Sequence, residues 1–336
     1  MNHIDDLMCS TVNHFGTPQA MSNLTLCECF ARDGLQHETD FIPTEKKVAL
    51  IDRFARAGFP RVEATSYSNP SVVPQFADAT DVLRTLPRVD GIFYKATCAN
   101  VRAVERALAD LEAGIGANEI SLLVSASEAH STRNLKSSRA EQWARIEAMA
   151  KAAAGRFRLI GTISVAFGCP FEGAIDEAGV LADVERFGAL GVHHVTLGDT
   201  IGVATQASTQ RLFRAMLRAF PEVNAIAHFH DTRGTGIVNY LAALDAGVRH
   251  FDVAFGGVGG HPAKVKYGGG VTGNVCTEDF INVLETMGVD TGIDLAAMMD
   301  ASIACEETLG RTLASRVART GLNPMLTKQA VAASAT

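Results

Sequence analysis

The chain has 336 residues, 47% hydrophobic and 20% charged, with a formal net charge of −7. That length and apolar content can bury one α/β barrel or two smaller domains and exclude disorder as the default state. The acidic balance argues against a general nucleic-acid binder, which needs a basic face for phosphates, and no apolar run reaches the ~18 residues of a membrane helix.

Residues 1–22 read as an N-terminal extension. They carry Asp5 and Asp6 and no Arg, unlike a mitochondrial transit peptide, and they lack the basic start, apolar core and small-residue cleavage pattern of a secretory signal. The 7 cysteines are irregularly spaced and do not form a disulfide framework, so a reducing, cytoplasmic location is expected. Cys27 and Cys29 could pair on a soft metal, but small buried apolar side chains are the better reading.

From residue 24 onward, strand-like runs alternate with amphipathic stretches, the pattern of βαβ units. The predicted strands are 24–30, 61–67, 92–98, 119–125, 159–166, 194–198, 225–230 and 250–255. Helical periodicity covers 44–57, 101–113, 139–153 and 237–246, with Gly58, Gly114, Gly191 and Gly247 as helix-ending residues. Thr44 is expected to cap the first helix without the acidic partner of a capping box, since Lys47 stands three positions on. Eight such units match the span of a (β/α)8 TIM barrel. A Rossmann sheet is disfavoured because no Gly-x-Gly-x-x-Gly follows the first strand, and Gly234-Thr235-Gly236 lacks the third glycine. The division expected is an extension over 1–22, a TIM-barrel catalytic domain over 23–292 and extra C-terminal helices over 293–336. The helical stretch 293–309 would cover the barrel or build a subunit contact.

In such a barrel the reactive groups gather at the C-terminal ends of the strands. The first strand runs on into Arg32-Asp33-Gly34-Leu35-Gln36, the second carries Glu63 and Ser66, and the sixth ends in Asp199-Thr200. The seventh ends in His228-Phe229-His230, and side chains at i and i+2 share one face of a strand, so both imidazoles can converge on one ion. A hydrogen-bonded histidine pair without metal is the competing reading. After the eighth strand come Gly256-Gly257-Val258-Gly259-Gly260-His261, Gly268-Gly269-Gly270 and Gly273-Asn274, a glycine density that implies positive φ angles or close approach of backbone to ligand. Asp33, His228, His230 and the side-chain oxygen of Asn274 would offer one carboxylate, two imidazoles and one amide, which suits Mg2+, Mn2+ or Zn2+. Each has a plainer role when taken singly. Asp33 could cap a helix or pair with Arg32, Asn274 could sit in a turn, Asp199 could cap, and Glu63 could pair with an arginine.

Taken together, Arg32-Asp33-Gly34-Leu35-Gln36, Glu63-Ala64-Thr65-Ser66, Gly168-Cys169-Pro170-Phe171-Glu172-Gly173, Leu197-Gly198-Asp199-Thr200-Ile201-Gly202, His228-Phe229-His230-Asp231-Thr232 and Gly257-Val258-Gly259-Gly260 followed by Gly273-Asn274 resemble the 3-hydroxy-3-methylglutaryl-CoA lyases of the DRE-TIM metallolyase superfamily. The resemblance spans residues 24–292. It implies a divalent cation, Mg2+ or Mn2+ ahead of Zn2+, held by Asp33, His228, His230 and Asn274. It also implies an acyl-CoA substrate, a 3-hydroxyacyl-CoA cleaved to acetyl-CoA and a keto acid, which is acetoacetate for the parent compound. Breaking the C2–C3 bond removes the C3 hydroxyl proton and leaves a thioester enolate, so Arg32 is expected to stabilise the enolate oxygen. His230, Asp199 and Glu63 are candidates for proton traffic, and Gln36, Ser66 and Thr200 for substrate contact. A homodimer or higher homo-oligomer is expected from the family and the extra helices.

One departure stands out. The family's Gly-rich loop carries a cysteine thought to protonate the enolate, and here that place holds His261, with Ala263-Lys264-Val265-Lys266-Tyr267 inserted or rearranged after it. An imidazole can donate a proton near neutrality, so His261 either takes the acid role or is a structural loop residue for a different substrate. Lys264 and Lys266 could meet an anionic ligand, although exposed loop lysines are the simpler reading. The competing functions are a Claisen-type acyltransferase, disfavoured by the short C-terminal region, and a non-catalytic acyl-CoA-binding barrel, disfavoured by the intact polar set.

Overall fold

The eight apolar runs all become strands in the computed structural model, which describes residues 24–153, 155–260 and 273–326. The extension over 1–22 and the loop positions His261, Lys264 and Lys266 lie outside the described residues. The strands are β1 (Thr25–Glu28), β2 (Arg61–Ser66), β3 (Phe93–Cys98), β4 (Glu119–Ser125), β5 (Arg158–Ser164), β6 (His194–Asp199), β7 (Asn224–Phe229) and β8 (His250–Val253). They pair in parallel in chain order, and β8 pairs with β1 to close the barrel. Helices Thr44–Arg56, Ala79–Thr85, Val101–Glu112, Arg139–Ala153, Glu177–Ala189, Gln206–Ala219 and Gly236–Ala246 fill the crossovers. No helix among the described residues is long and apolar enough to cross a membrane.

Several runs stop earlier than their apolar content suggests, each for a local reason. β1 ends at Glu28, and Phe30–Gly34 coils into one π-helical turn whose Phe30 N–H is held by Glu28 Oε1 at 2.9 Å. β5 ends before Val165, which sits at φ 51 with its N–H donated to Thr200 Oγ1 at 2.9 Å. A β-branched residue there is strained backbone. β8 ends where Phe255–Gly257 tightens into a 3-10 turn around Gly256 at φ 60. Thr44 is not the cap of its helix. Pro43 holds that position, and the Thr44 hydroxyl donates to Asp78 Oδ2 at 2.7 Å.

Helix Thr44–Arg56 packs on the turn after β8 through Phe54 and Phe255, whose stacked rings lie 5.0 Å apart. The lower barrel interior is polar instead of aliphatic. Arg61, Lys95, Glu119 and Asp252 are all buried there, with Arg61 Nη2 to Glu119 Oε1 at 2.7 Å and Arg61 Nη1 to Asp252 Oδ1 at 3.5 Å. Buried charges survive only when paired, and removing one partner of such a pair costs about 3–5 kcal/mol. Cys27 and Cys29 are fully buried, as small apolar side chains would be.

The chain after β8 is built into the ring of helices. Helix Thr277–Thr286 places Phe280 against Tyr240 and Phe251, with ring centroids 4.8 and 5.4 Å apart. Helix Leu295–Leu309 starts after Asp294, whose carboxylate accepts from the N–H groups of Ala296 and Ala297, and it packs on Thr44–Arg56. The Asp294 N–H donates to Ala57 O at 2.9 Å. Gly58, at φ +99, lets this junction close, because a Cβ there would stand 2.7 Å from Gly292 O. The helix foreseen over 293–309 therefore covers the barrel wall between its neighbours.

Glu28 joins the turn after β1 to the turn after β8. Its Oε1 also accepts from Phe255 N–H at 3.1 Å, and its Oε2 meets the Thr277 hydroxyl at 2.5 Å. Burial pushes its carboxyl up to about 8 against the hydrogen bonds from Thr277, Phe30 and Phe255. The native state therefore keeps this proton where the unfolded chain, at about 4.3, has lost it. Stability is full below the unfolded value and falls as pH rises through the folded one, by at most about 1.4 kcal/mol per pH unit. A Glu28→Gln substitution keeps the carbonyl for both N–H groups and carries no charge. Its melting temperature should gain on the parent steadily between pH 5 and 8 and no further above; parallel melting curves across that range would contradict the assignment.

Candidate active site

The mouth of the barrel is built from the turn after β1, the end of β7 and the loop after β8. The π-helical turn Phe30–Gly34 projects Arg32 and Asp33 over the strand ends. β7 delivers His228, and His230, one residue past the strand, bridges to Asn274 in an antiparallel pair that holds it in line. Both imidazoles share one face as the spacing required, with His228 Nε2 and His230 Nε2 3.3 Å apart. His230 Nε2 lies 4.0 Å from Asp33 Oδ2, and one ligand atom from each of Asp33, His228 and His230 falls within 4.8 Å of the others.

Asn274 completes the group. Its Nδ2 donates to Asp33 Oδ2 at 2.7 Å and to Val258 O at 2.9 Å, which leaves Oδ1 buried without a hydrogen-bond partner. A buried orphan acceptor is costly, and beside a carboxylate and two imidazoles it fits a cation ligand. Gly259 permits this approach. At φ +127, a Cβ there would stand 2.3 Å from Asn274 Nδ2 and 3.1 Å from Asp33 Oδ2.

At Asp33 and His230 the electrostatics suit the same purpose. Burial works against ionisation of Asp33, but Arg32, His228, His230 and Asn274 outweigh it and hold the carboxyl well below the usual range. Burial and neighbouring His228 push His230 down to about 4, which keeps its imidazole neutral. His228 is held above its ordinary value: burial opposes the charge, while Asp252 and Asp33 favour it.

This group opens onto a cavity of about 620 Å³. Arg32, Asp33, Gln36, Thr200, His228 and His230 line it, as does Gly260, the residue before His261. Arg32 is gripped on two sides, by Glu63 Oε1 at 2.7 Å from Nε and by Asp33 Oδ1 at 2.9 Å from Nη1. Gln36 Oε1 accepts from the same Nη1 at 3.2 Å. Glu63 itself stays behind Arg32, reaching Lys95 Nζ at 3.4 Å and accepting from Thr97 Oγ1 at 2.7 Å.

Asp199 and Ser66, like Glu63 and Asn274, are not on the cavity wall. Asp199 is turned to the outer side of β6, where its two oxygens accept from the N–H groups of Val203 and Ala204 at 2.9 Å each and hold the loop leading to Gln206–Ala219. Strand alternation explains this, since Gly198 and Thr200 occupy the inward positions. Ser66 donates to Thr97 O at 3.2 Å and contacts Ser68 Oγ at 2.7 Å, and Ser68 is the residue on the cavity wall. A bulge between Glu63 and Thr65 interrupts the β2 register, so simple alternation does not carry through to Ser66.

Other residues of the wall belong to no motif in the sequence. His130, buried with its Nδ1 2.9 Å from Ser125 Oγ, stands with Arg133, Asn134 and Lys136 at the edge formed after β4. Their signal was position after a strand end. The inner wall carries the small hydroxyls of Thr97, Ser121, Thr162 and Ser164.

Comparison with known proteins places the chain in a family. Residues 23–304 match the HMGL-like family. The chain belongs to that family. It is 36% identical to the mitochondrial hydroxymethylglutaryl-CoA lyase of Rattus norvegicus over 88% of each chain. It is also 36% identical to a hydroxymethylglutaryl-CoA lyase of Bacillus subtilis, over 87% of this chain and 95% of that one. Among solved structures, an HMG-CoA lyase from Acinetobacter baumannii in complex with coenzyme A and 3-methylmalate superposes with a TM-score of 0.84 at 37% identity, covering 90% of this chain and 97% of that one.

Proposed function

We propose that this barrel is a lyase that cleaves 3-hydroxy-3-methylglutaryl-CoA, or a closely related branched 3-hydroxyacyl-CoA, to acetyl-CoA and a keto acid. The observation that carries the reading is the convergence of Asp33, His228, His230 and the unpartnered Asn274 Oδ1 beside Arg32 at the cavity mouth. A divalent cation held by those four residues would supply Lewis acidity towards the substrate hydroxyl and fix its orientation.

The chain's own groups account for the rest. When the C2–C3 bond breaks, its electron pair becomes the enolate of the thioester, and the guanidinium of Arg32 on the cavity wall neutralises the developing oxyanion. Glu63 and Asp33 hold that guanidinium from two sides so that it needs no reorganisation. His261, next in the chain after the wall residue Gly260, is the proposed proton carrier: its neutral imidazole takes the C3 hydroxyl proton as the bond breaks and returns it to the enolate carbon. Arg133 and Lys136 put positive charge at the cavity edge, where the phosphates of a CoA ester would lie.

The test is product identification. Protein supplied with Mg2+ or Mn2+ and a panel of 3-hydroxyacyl-CoA esters should release acetyl-CoA and one keto acid, read by mass spectrometry and abolished by a chelator. In deuterated water, His261→Ala should slow isotope entry into the released acetyl group. Failure of every ester in the panel, with metal bound, would reject the reaction.

A further inference from the structure

Beneath the candidate cation ligands lies a layer of charge that the reaction chemistry above does not use. Asp252 sits on β8 directly across from His228 on β7, and its side chain is almost fully buried. Its Oδ2 stands 3.4 Å from His228 Nδ1 and 3.8 Å from Lys95 Nζ, and its Oδ1 stands 3.5 Å from Arg61 Nη1. Lys95 Nζ also lies 3.4 Å from Glu63 Oε1, the oxygen that holds Arg32.

A neutral imidazole has one proton to place, and the nitrogen that offers a lone pair to a cation cannot carry it. The Nε2 atoms of His228 and His230 lie 3.3 Å apart, within hydrogen-bond distance of each other and close enough for one ion to take both. The His228 proton then belongs on Nδ1, where the carboxylate of Asp252 is the acceptor in reach. Two cationic side chains flank that carboxylate, Arg61 at 3.5 Å and Lys95 at 3.8 Å.

We propose that Asp252 is a positioning residue: it fixes His228 in the Nδ1–H tautomer and aims Nε2 at the cation, while Lys95 locks the carboxylate in place. The proposal rests on the reading of Asp33, His228, His230 and Asn274 as a cation site. Partners of this kind set ligand orientation and basicity, and their loss costs about 10–100-fold in metal affinity.

The experiment is calorimetric titration of the metal-free full chain with Mn2+, accompanied by circular dichroism and by long-range proton–nitrogen NMR of the histidine rings. Asp252→Asn should weaken Mn2+ binding about 10–100-fold while the dichroism spectrum holds, and the His228 ring should pass from one tautomer to a mixture. Asp252→Glu should recover part of the affinity. Because Asp252→Asn leaves Lys95 short of a partner, the double variant Asp252→Asn with Lys95→Met restores the balance of buried charge; it should show the same loss of affinity. Affinity and tautomer unchanged in both Asn variants, with the parent binding one Mn2+, would overturn the role of Asp252 and leave the cation site standing. A parent chain that takes up no Mn2+ would overturn the cation site and this proposal with it.

Discussion

Arg32→Met is expected to lower kcat by about 10²–10³-fold, the range seen when one charge stabiliser is removed from a developing oxyanion. The magnitude follows from where the charge sits. Arg32 lies on the cavity wall between two carboxylates that fix its orientation, and methionine fills similar volume with no charge. Metal content should stay at one equivalent, because none of the four candidate ligands is changed, and KM should move little. The fold should tolerate the change, since Glu63 keeps Lys95 and the Thr97 hydroxyl as partners. Arg32→Lys should fall between the two, keeping the charge and losing the fork that meets both carboxylates. Steady-state kinetics with metal analysis of the same samples provide the check, and near-parental turnover by Arg32→Met would reject the assignment.

His228→Ala should have the second large effect, loss of stoichiometric metal and of turnover together. The imidazole is one of three groups whose ligand atoms cluster within 4.8 Å. Its removal also strips Asp252 of one contact while leaving Lys95 and Arg61 to hold that carboxylate, so the barrel should keep its dichroism spectrum. Metal content measured by plasma emission after gel filtration decides the matter; one equivalent retained by His228→Ala would contradict its role as a ligand. The contrast with Asp252→Asn is informative, because a ligand's loss abolishes binding whereas loss of its support only weakens it.

The fold was legible because parallel barrel strands are buried on both faces and read as short apolar runs, with glycines closing the helices between them. The strand ends were not. At Val165 the chain leaves the sheet because the distant Thr200 hydroxyl captures its backbone N–H; at Glu28 the residue's own carboxylate takes the Phe30 N–H, and what fixes that carboxylate, Phe255 and Thr277, lies far along the chain. Asp33, His228, His230 and Asn274 stood out in the sequence because polar residues at strand ends have few structural uses in common. Asp252 and Lys95 did not stand out. Each is a single charge inside an apolar strand, and their pairing across the barrel joins positions far apart in the chain. Asp199 shows the reverse difficulty: it sits at a strand end with the right chemistry, but its parity points it outward.

The most direct measurement is a crystal of the full chain grown with Mn2+ and examined by anomalous scattering at the manganese edge. One strong peak is expected at bonding distance from Asp33, His228, His230 and Asn274 Oδ1, next to Arg32. A map with no peak among those four residues, in crystals where Mn2+ is bound elsewhere or not at all, would contradict the cation site.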